Sequence, residues 1–358
     1  MAMGSGNYLA TKLLQPLAAY YGREGVEEVV INQPGEVLIK WRRAGWERIE
    51  APEIDYDYMR KLCRVLSNIN GSRFSEDDLP VVSCELPGQP FRFQAIVGPN
   101  VRYMLEDNKG CASAIRSLTA DSNIDIRRDY GLNPDAQLPG SGRFLLGFDA
   151  NDDHIDKIKR VIDSHQTVIV SGGTSTGKTT FINRLIAMIH PDSRVITVED
   201  ARELQVTQLN RIHLVVPRNR SANNVSYTTI IDSLMRLTPD WVICGELSVH
   251  NALPVYTLMG KGHPIMVTVH ATSPEQAVQA FVNNMASSGS TLNGAVAAQE
   301  LRSMIGCIIQ LERREVEIDG RTQTRRQVVD IVFPAQRANQ EAVEVDAQRR
   351  AQFNPSSF

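Results

Sequence analysis

Thr167-Val168-Ile169-Val170 runs into Ser171-Gly172-Gly173-Thr174-Ser175-Thr176-Gly177-Lys178-Thr179-Thr180 and then into Phe181-Ile182-Asn183-Arg184-Leu185-Ile186-Ala187-Met188-Ile189. A β-branched run, a glycine-rich turn matching G-x-x-x-x-G-K-T and a segment with apolar residues at helical spacing follow one another. The order strand, loop, helix predicts a phosphate-binding P-loop rather than a Gly/Ser/Thr-rich surface turn. A nucleoside triphosphate is the ligand this implies.

The chemistry accounts for the residue types. Gly172 and Gly177 permit backbone torsions that aim the N–H groups of Gly173, Thr174, Ser175, Thr176 and Thr180 at phosphate oxygens. The following helix adds the positive end of its dipole. From an exposed loop Lys178 is expected to hold the β- and γ-phosphates, and the Thr179 hydroxyl to ligate Mg²⁺. ATP and Mg²⁺ are therefore the expected cofactors.

At 358 residues the chain exceeds one usual core, so two domains are expected. A composition of 42% hydrophobic and 22% charged residues is that of an ordinary globular protein, not a disordered or fibrous one. The formal net charge of −3 provides no global basic field for nucleic acid, and no sequence-specific nucleic-acid binding is expected. Cys63, Cys84, Cys111, Cys244 and Cys307 are scattered and include no C-x-x-C pair, which points to reduced thiols in a cytoplasmic setting. No apolar run approaches a bilayer span, and the N-terminus lacks the pattern of a signal peptide. Any membrane association is expected to be peripheral.

The first ~130 residues read as a smaller α+β unit. Glu28–Ile31 and Glu36–Lys40 are strand-like runs flanking the turn Asn32-Gln33-Pro34-Gly35. Met59, Leu62, Cys63 and Leu66 fall on one face of a helix, and Phe91–Val97 is a further strand that stops at Gly98-Pro99. Gly, Pro, Asn and Asp then accumulate through 131–153, marking a linker. From 154 to 335 strands and helices alternate: Thr167–Val170, 178–189, Arg194–Val198, 227–236, Trp241–Cys244, 250–259, Pro264–Val269 and 274–286. That rhythm predicts an α/β domain with a mainly parallel sheet and ligands at the carboxyl ends of its strands. Residues 336–358 lack an apolar period and read as a tail.

Three more strand ends carry groups suited to a phosphate site. Val195–Val198 is followed by Glu199-Asp200, and Trp241–Cys244 by Gly245-Glu246. A carboxylate at such a position either polarises the attacking water, orients hydrated Mg²⁺, or simply starts a solvated loop. Pro264–Val269 ends at His270, which either reports a γ-phosphate or is satisfied by a loop carbonyl.

Together these segments resemble the VirB-type hexameric traffic ATPases of type IV secretion and conjugation, within the secretion ATPase superfamily. The resemblance spans "EVVINQPGEVLIKW" at Glu28–Trp41 to "GCIIQLER" at Gly306–Arg313. "ITVEDARELQ" resembles the family's Asp box, "MRLTPDWVICGE" its Walker B region and "GKGHPIMVTVHATSPEQA" its His box. The resemblance implies a RecA-like P-loop ATPase domain behind the N-terminal α+β domain. It assigns Lys178 and Thr179 to phosphate and Mg²⁺, Glu199 and Glu246 to the attacking water or hydrated metal, and His270 to the γ-phosphate. It also lifts Arg92 in "PFRFQAIV" and Arg116 in "SAIRSLTA" from solvated charges to nucleotide contacts. The partners it implies are five further copies of the chain and the cytoplasmic and inner-membrane components of a type IV secretion apparatus, with pilus assembly or substrate transfer as output. Two departures stand out: Ser248 occupies a position where the family usually has arginine, and the paired C-x-x-C of many type II relatives is missing. A nucleic-acid motor and a nucleotide-gated docking module are the alternative classes.

Overall fold

A computed structural model of the chain describes residues 5–42, 44–103, 109–118, 148, 151–216, 225–318 and 321–335. In chain order its first elements are α1 (Ser5–Tyr21), β1 (Val26–Ile31), β2 (Gly35–Trp41), β3 (Trp46–Ala51), α2 (Tyr56–Ile69), β4 (Val81–Glu85), β5 (Phe91–Gly98) and β6 (Gly110–Ser117). Then come α3 (His154–Asp163), β7 (Thr167–Gly172), α4 (Lys178–Ile186), β8 (Val195–Glu199), β9 (Arg211–Val215) and α5 (Tyr227–Leu234). The chain continues through β10 (Trp241–Cys244), α6 (Ala252–Gly260), β11 (Ile265–Val269), α7 (Pro274–Ser287), α8 (Gly294–Met304), β12 (Ile305–Ile318) and β13 (Arg321–Val332). Most of the expected linker and the whole expected tail, 336–358, lie outside the described residues.

Two compact units result, and neither is a single run of chain. One takes in Met1–Leu138, Pro191–Glu203 and Gln208–Pro239; the other takes in Pro139–His190, Leu204–Thr207 and Asp240–Phe358.

The first unit is built on an antiparallel sheet in the order β3-β2-β1-β6-β5-β4. The expected hairpin is present, with Val29 opposite Ile39 and Val30 opposite Leu38. Gly35 sits at φ 82°, a left-handed value that glycine adopts without strain at the turn. The predicted face of α2 packs inward: Met59, Leu62, Cys63 and Leu66 are fully buried against Phe93, Ala95 and Ile115 of the sheet. Asp55 caps the helix by accepting from the Tyr58 N–H. Helix α1 was not among the expected elements; it contains Pro16, yet Ala10, Leu14, Leu17 and Tyr21 keep helical spacing and join the same core.

The later segments of this unit are stitched to the earlier ones through polar atoms. Asn100 donates from Nδ2 to the Val215 carbonyl at 2.8 Å, and the Arg102 N–H donates to the His213 carbonyl at 3.0 Å. Arg194, one residue before β8 and completely buried, donates to Leu237 O at 2.7 Å, Asn32 Oδ1 at 2.8 Å and Asn210 Oδ1 at 2.5 Å. One guanidinium therefore ties the β1–β2 turn to the ends of two segments more than a hundred residues away. Its charge also acts on Glu28, whose carboxyl is raised by burial and drawn back down by Arg194 and by the Thr238 hydroxyl bonded to it at 2.7 Å.

The second unit contains strands in the order β13-β12-β7-β11-β10, with β12, β7, β11 and β10 mutually parallel and β13 antiparallel to β12. Val168, Ile169, Val170, Val242, Ile243, Met266 and Val267 are all buried, as a parallel strand covered on both faces requires. The register levels the strand ends: Leu311 faces Gly172, Val269 faces Ser171 and Cys244 faces Val267. The loops leaving β7, β10 and β11 therefore emerge on one side of the sheet, as expected for an α/β site.

Substituting Arg194→Met should lower the unfolding free energy by about 3 kcal/mol, since it leaves Leu237 O and Asn32 Oδ1 without this donor, while Asn210 Oδ1 keeps only the Asn32 amide at 2.9 Å. Urea unfolding followed by circular dichroism measures this, and a loss below about 1 kcal/mol would show the tie to be dispensable.

Candidate nucleotide site

The loop after β7 is shaped by two glycines for different reasons. A Cβ on Gly172 would lie 2.5 Å from Thr176 Oγ1 and 2.8 Å from the Leu311 carbonyl, so only hydrogen fits there. Gly177 takes φ 89° and ψ 22°, a left-handed conformation, immediately before α4. Gly173 is different: a Cβ there would meet nothing nearer than Thr176 Cγ2 at 3.9 Å. Thr174, Ser175 and Thr180 are exposed, Thr179 is half-buried, and Thr176 is buried with its hydroxyl donating to Gly173 O at 2.9 Å. Helix α4, like α6, begins with no side chain capping its first N–H groups, whereas α2, α3, α5, α7 and α8 are capped by Asp55, Asp153, Ser226, Ser273 and Asn293. Its uncapped donors face the loop and suit an anion.

Lys178 differs from the exposed side chain expected from the sequence. It is 8% exposed and turned back over its own loop. Its ammonium donates to Gly172 O at 2.9 Å and Gly173 O at 2.8 Å, and lies 3.2 Å from His270 Nδ1. All three ammonium protons are thereby used. Burial lowers the Lys178 pKa, and the Glu246 carboxylate draws it back up.

His270, just after β11, stands between two charges. Its Nε2 lies 3.0 Å from Glu246 Oε1 while Nδ1 faces the ammonium. An ammonium cannot accept, so Nδ1 carries the lone pair and Nε2, on the side of Glu246, the proton. The expected lysine, histidine and glutamate therefore form one chain of contacts, Lys178–His270–Glu246. Two residues that the sequence reading missed brace it. Asn251, nearly buried, donates to the Glu246 carbonyl at 2.8 Å and accepts from the Ser248 N–H at 2.8 Å. Gln310, also buried, donates to Ala271 O at 3.2 Å and holds the turn after His270 to β12. Neither is titratable, and only the Asn251 position next to a strand-end carboxylate offered a signal.

Glu199 belongs to the other unit and has a different setting. It is 2% exposed; Oε1 accepts from the Thr197 hydroxyl at 2.8 Å and from Arg202 at 3.4 Å, and Oε2 from the Glu203 N–H at 2.7 Å. The single Thr197 proton goes to Glu199, so His213 Nδ1, 2.9 Å away, must donate to Thr197 Oγ1. Burial, with Arg202 and Arg211 nearby, pushes His213 down to about 3 and keeps it neutral. Glu246, by contrast, remains 32% exposed.

Arg92 and Arg116 are direct cross-strand partners on β5 and β6 and are both exposed. Arg116 lies 3.9 Å from Glu27 Oε1. Each arginine also has a carboxylate residue opposite it on its other side, Glu85 across from Arg92 and Glu28 across from Arg116. All five cysteines are free, and burial pushes the Cys244 thiol up to about 12, so none is assigned chemistry. Among the described residues no helix is long and apolar enough to cross a membrane, and no cluster of three or more His, Cys, Asp or Glu could hold a metal alone. The half-buried Thr179 hydroxyl and the half-exposed Glu246 carboxylate are hard oxygen donors of the kind Mg²⁺ takes alongside phosphate and water.

The loop, the parallel strands and the Lys178–His270–Glu246 chain define a P-loop nucleotide-binding protein of RecA-like architecture. Residues 145–350 match the family model described as Type II/IV secretion system protein, and the chain belongs to that family. Its relatives include the type IV secretion system protein VirB11 of Bartonella quintana, 26% identical over 323 residues that cover 84% of this chain and 88% of the relative. Another is the PtlH homolog of Bordetella bronchiseptica, 27% identical over 346 residues, 89% of this chain and 94% of that one. The fold is similar to the crystal structure of the Brucella suis VirB11 ATPase in complex with sulphate, with a TM-score of 0.75, 22% identity, and coverage of 92% of this chain and 99% of that one.

Gly172→Ala should destabilise the protein by about 2 kcal/mol and abolish nucleotide binding, because the clash is with backbone and a short side chain. Gly173→Ala should leave stability within about 0.5 kcal/mol of wild type. Paired thermal melts and nucleotide titrations check both, and equal effects would contradict the distinct roles given to the two glycines.

Proposed function

We propose that the chain is an Mg²⁺-dependent ATPase that works as a homo-hexamer at the cytoplasmic base of a type IV secretion apparatus, in peripheral contact with the inner membrane. The observation that carries this reading is the saturated Lys178: an ammonium held by two loop carbonyls and one imidazole nitrogen is positioned to exchange them for phosphate oxygens. Names among the relatives supply the secretion setting. In this reading the chain comprises an N-terminal α+β domain, a linker, and an ATPase domain over 154–335.

The side chains supply the chemistry. Backbone N–H groups of 173–177 and the open start of α4 receive the phosphates. As Lys178 moves to the β- and γ-phosphates, it releases His270 Nδ1, and His270 turns from spacer to γ-phosphate contact. Glu246, freed of part of its partner's hold and open to water, takes the proton from the attacking water. The Thr179 hydroxyl and, through water, the Glu246 carboxylate would hold Mg²⁺, which would supply charge neutralisation for the phosphates. Glu199, buried and with both oxygens engaged, anchors the turn after β8 instead of acting as base. Arg92 and Arg116 act as further phosphate contacts that are lost when the γ-phosphate leaves, which couples hydrolysis to movement.

Lys178→Ala should abolish hydrolysis. Glu246→Gln should retain ATP while lowering turnover by about 10²-fold or more, and Glu199→Gln should act mainly through stability. Single-turnover ATP cleavage alongside thermal melts separates these outcomes. Wild-type turnover by Glu246→Gln would remove it as base, and a folded, ATP-retaining but inactive Glu199→Gln would return that role to Glu199.

A further inference from the structure

The strand that ends in the phosphate loop is shorter than its neighbour. Strand β7 stops at Gly172, while β12 pairs with it up to Leu311 and then runs on to Ile318, carrying β13 with it. The β12–β13 hairpin therefore extends past the loop along one side. Within it Arg313 faces Arg326 and Arg314 faces Arg325, so two arginine pairs occupy opposite faces of the ribbon.

One of the four reaches the loop. Arg326 donates from Nε to the Ser175 carbonyl at 3.2 Å, and its Cδ lies 3.0 Å from where a Cβ on Gly177 would stand. Ser175 is held at φ 61°, a left-handed value uncommon for a residue with a side chain. The peptide joining Ser175 to Thr176 is trans, so its C=O and N–H point in opposite directions. With the carbonyl turned out to the guanidinium, the Thr176 N–H is turned in, toward the space the phosphates would take.

We infer that Arg326 is a positioning residue for the phosphate loop, fixing the Ser175–Thr176 peptide from the terminal hairpin so that its N–H is presented to nucleotide before nucleotide arrives. This rests on the nucleotide site proposed above. The guanidinium arm also lies close over Gly177, whose left-handed torsion, φ 89°, favours glycine there. It makes the hairpin, far along the chain from the P-loop, part of the site's preorganisation.

The test uses the full chain with Mg²⁺ and a fluorescent ATP analogue. Arg326→Ala should raise the Kd about fivefold, with the melting temperature of the nucleotide-free protein unchanged, because one charge-assisted hydrogen bond at a partly solvated site is lost. Amide exchange in a peptide covering 172–180 should quicken in the same variant without nucleotide. Arg326→Lys should recover part of the affinity, since lysine still donates to Ser175 O but lacks the rigid fork. Arg325→Ala, on the other face of the hairpin, should bind as wild type. Unchanged affinity and exchange in Arg326→Ala, or an equal loss in Arg325→Ala, would overturn the inference. Should Arg326→Ala not fold, unchanged affinity and exchange in Arg326→Gln would do the same. A silent Arg326→Ala beside an inactive Lys178→Ala removes only this inference, whereas an active Lys178→Ala removes the nucleotide site and this inference together.

Discussion

The in-register parallel pairing of β12, β7, β11 and β10 is the constraint on which the candidate site depends. Strands β7, β10 and β11 are short and buried on both faces, as is the part of β12 that pairs with β7, so a slip of one residue would drive an entire set of side chains out of its layer. With the register held, Gly172, Glu246 and His270 emerge level with one another although they are far apart in sequence. The contacts of 3.2 Å and 3.0 Å on the two sides of His270 result from that alignment. Buried Thr268 assists from within the strand, donating to Gly245 O at 2.6 Å and fixing the turn that carries Glu246.

Buried charge is used in two ways. In the first unit Arg194 and Glu199 are withdrawn from water and each is held by several directed partners, and the consequence is rigidity. In the second unit Lys178 is also buried, but its acceptors are loop carbonyls and a half-exposed histidine that competing phosphate oxygens can replace. A charge fixed by specific, dry side-chain partners resists exchange, whereas one held by the part-buried Gly173 carbonyl and a half-exposed imidazole is poised for it. The physical difference between Glu199 and Glu246 is likewise access to water rather than residue type.

Charge also links distant chain segments. Arg194 draws Asn32 and Asn210 together, and the Ser175 carbonyl meets Arg326 across 151 residues. Such ties depend on where the chain returns after a long excursion, and each replaces water around a guanidinium with a small number of directed acceptors.

Much of the fold was legible in the sequence because its periodicities are local. The hairpin around Asn32–Gly35, the apolar face of α2, strands β5, β7, β8, β10 and β11 and helices α4 to α7 arise from alternation, helical spacing and turn residues. The P-loop and the carboxylate or histidine ending each strand were legible for the same reason: chemistry and spacing lie within a few residues. Tertiary structure alone decided what these groups touch. It placed Lys178 under its own loop, because three acceptors happen to converge there. It left Glu246 open to water and closed Glu199 in. It set Arg92 beside Arg116, grouped 191–203 and 208–239 with the N-terminal segment, and brought Arg326 of the terminal hairpin to Ser175. Local pattern encodes which residues form an element and which way they face; burial and hydrogen-bond partnership depend on which remote segments pack alongside, and no local period carries that information.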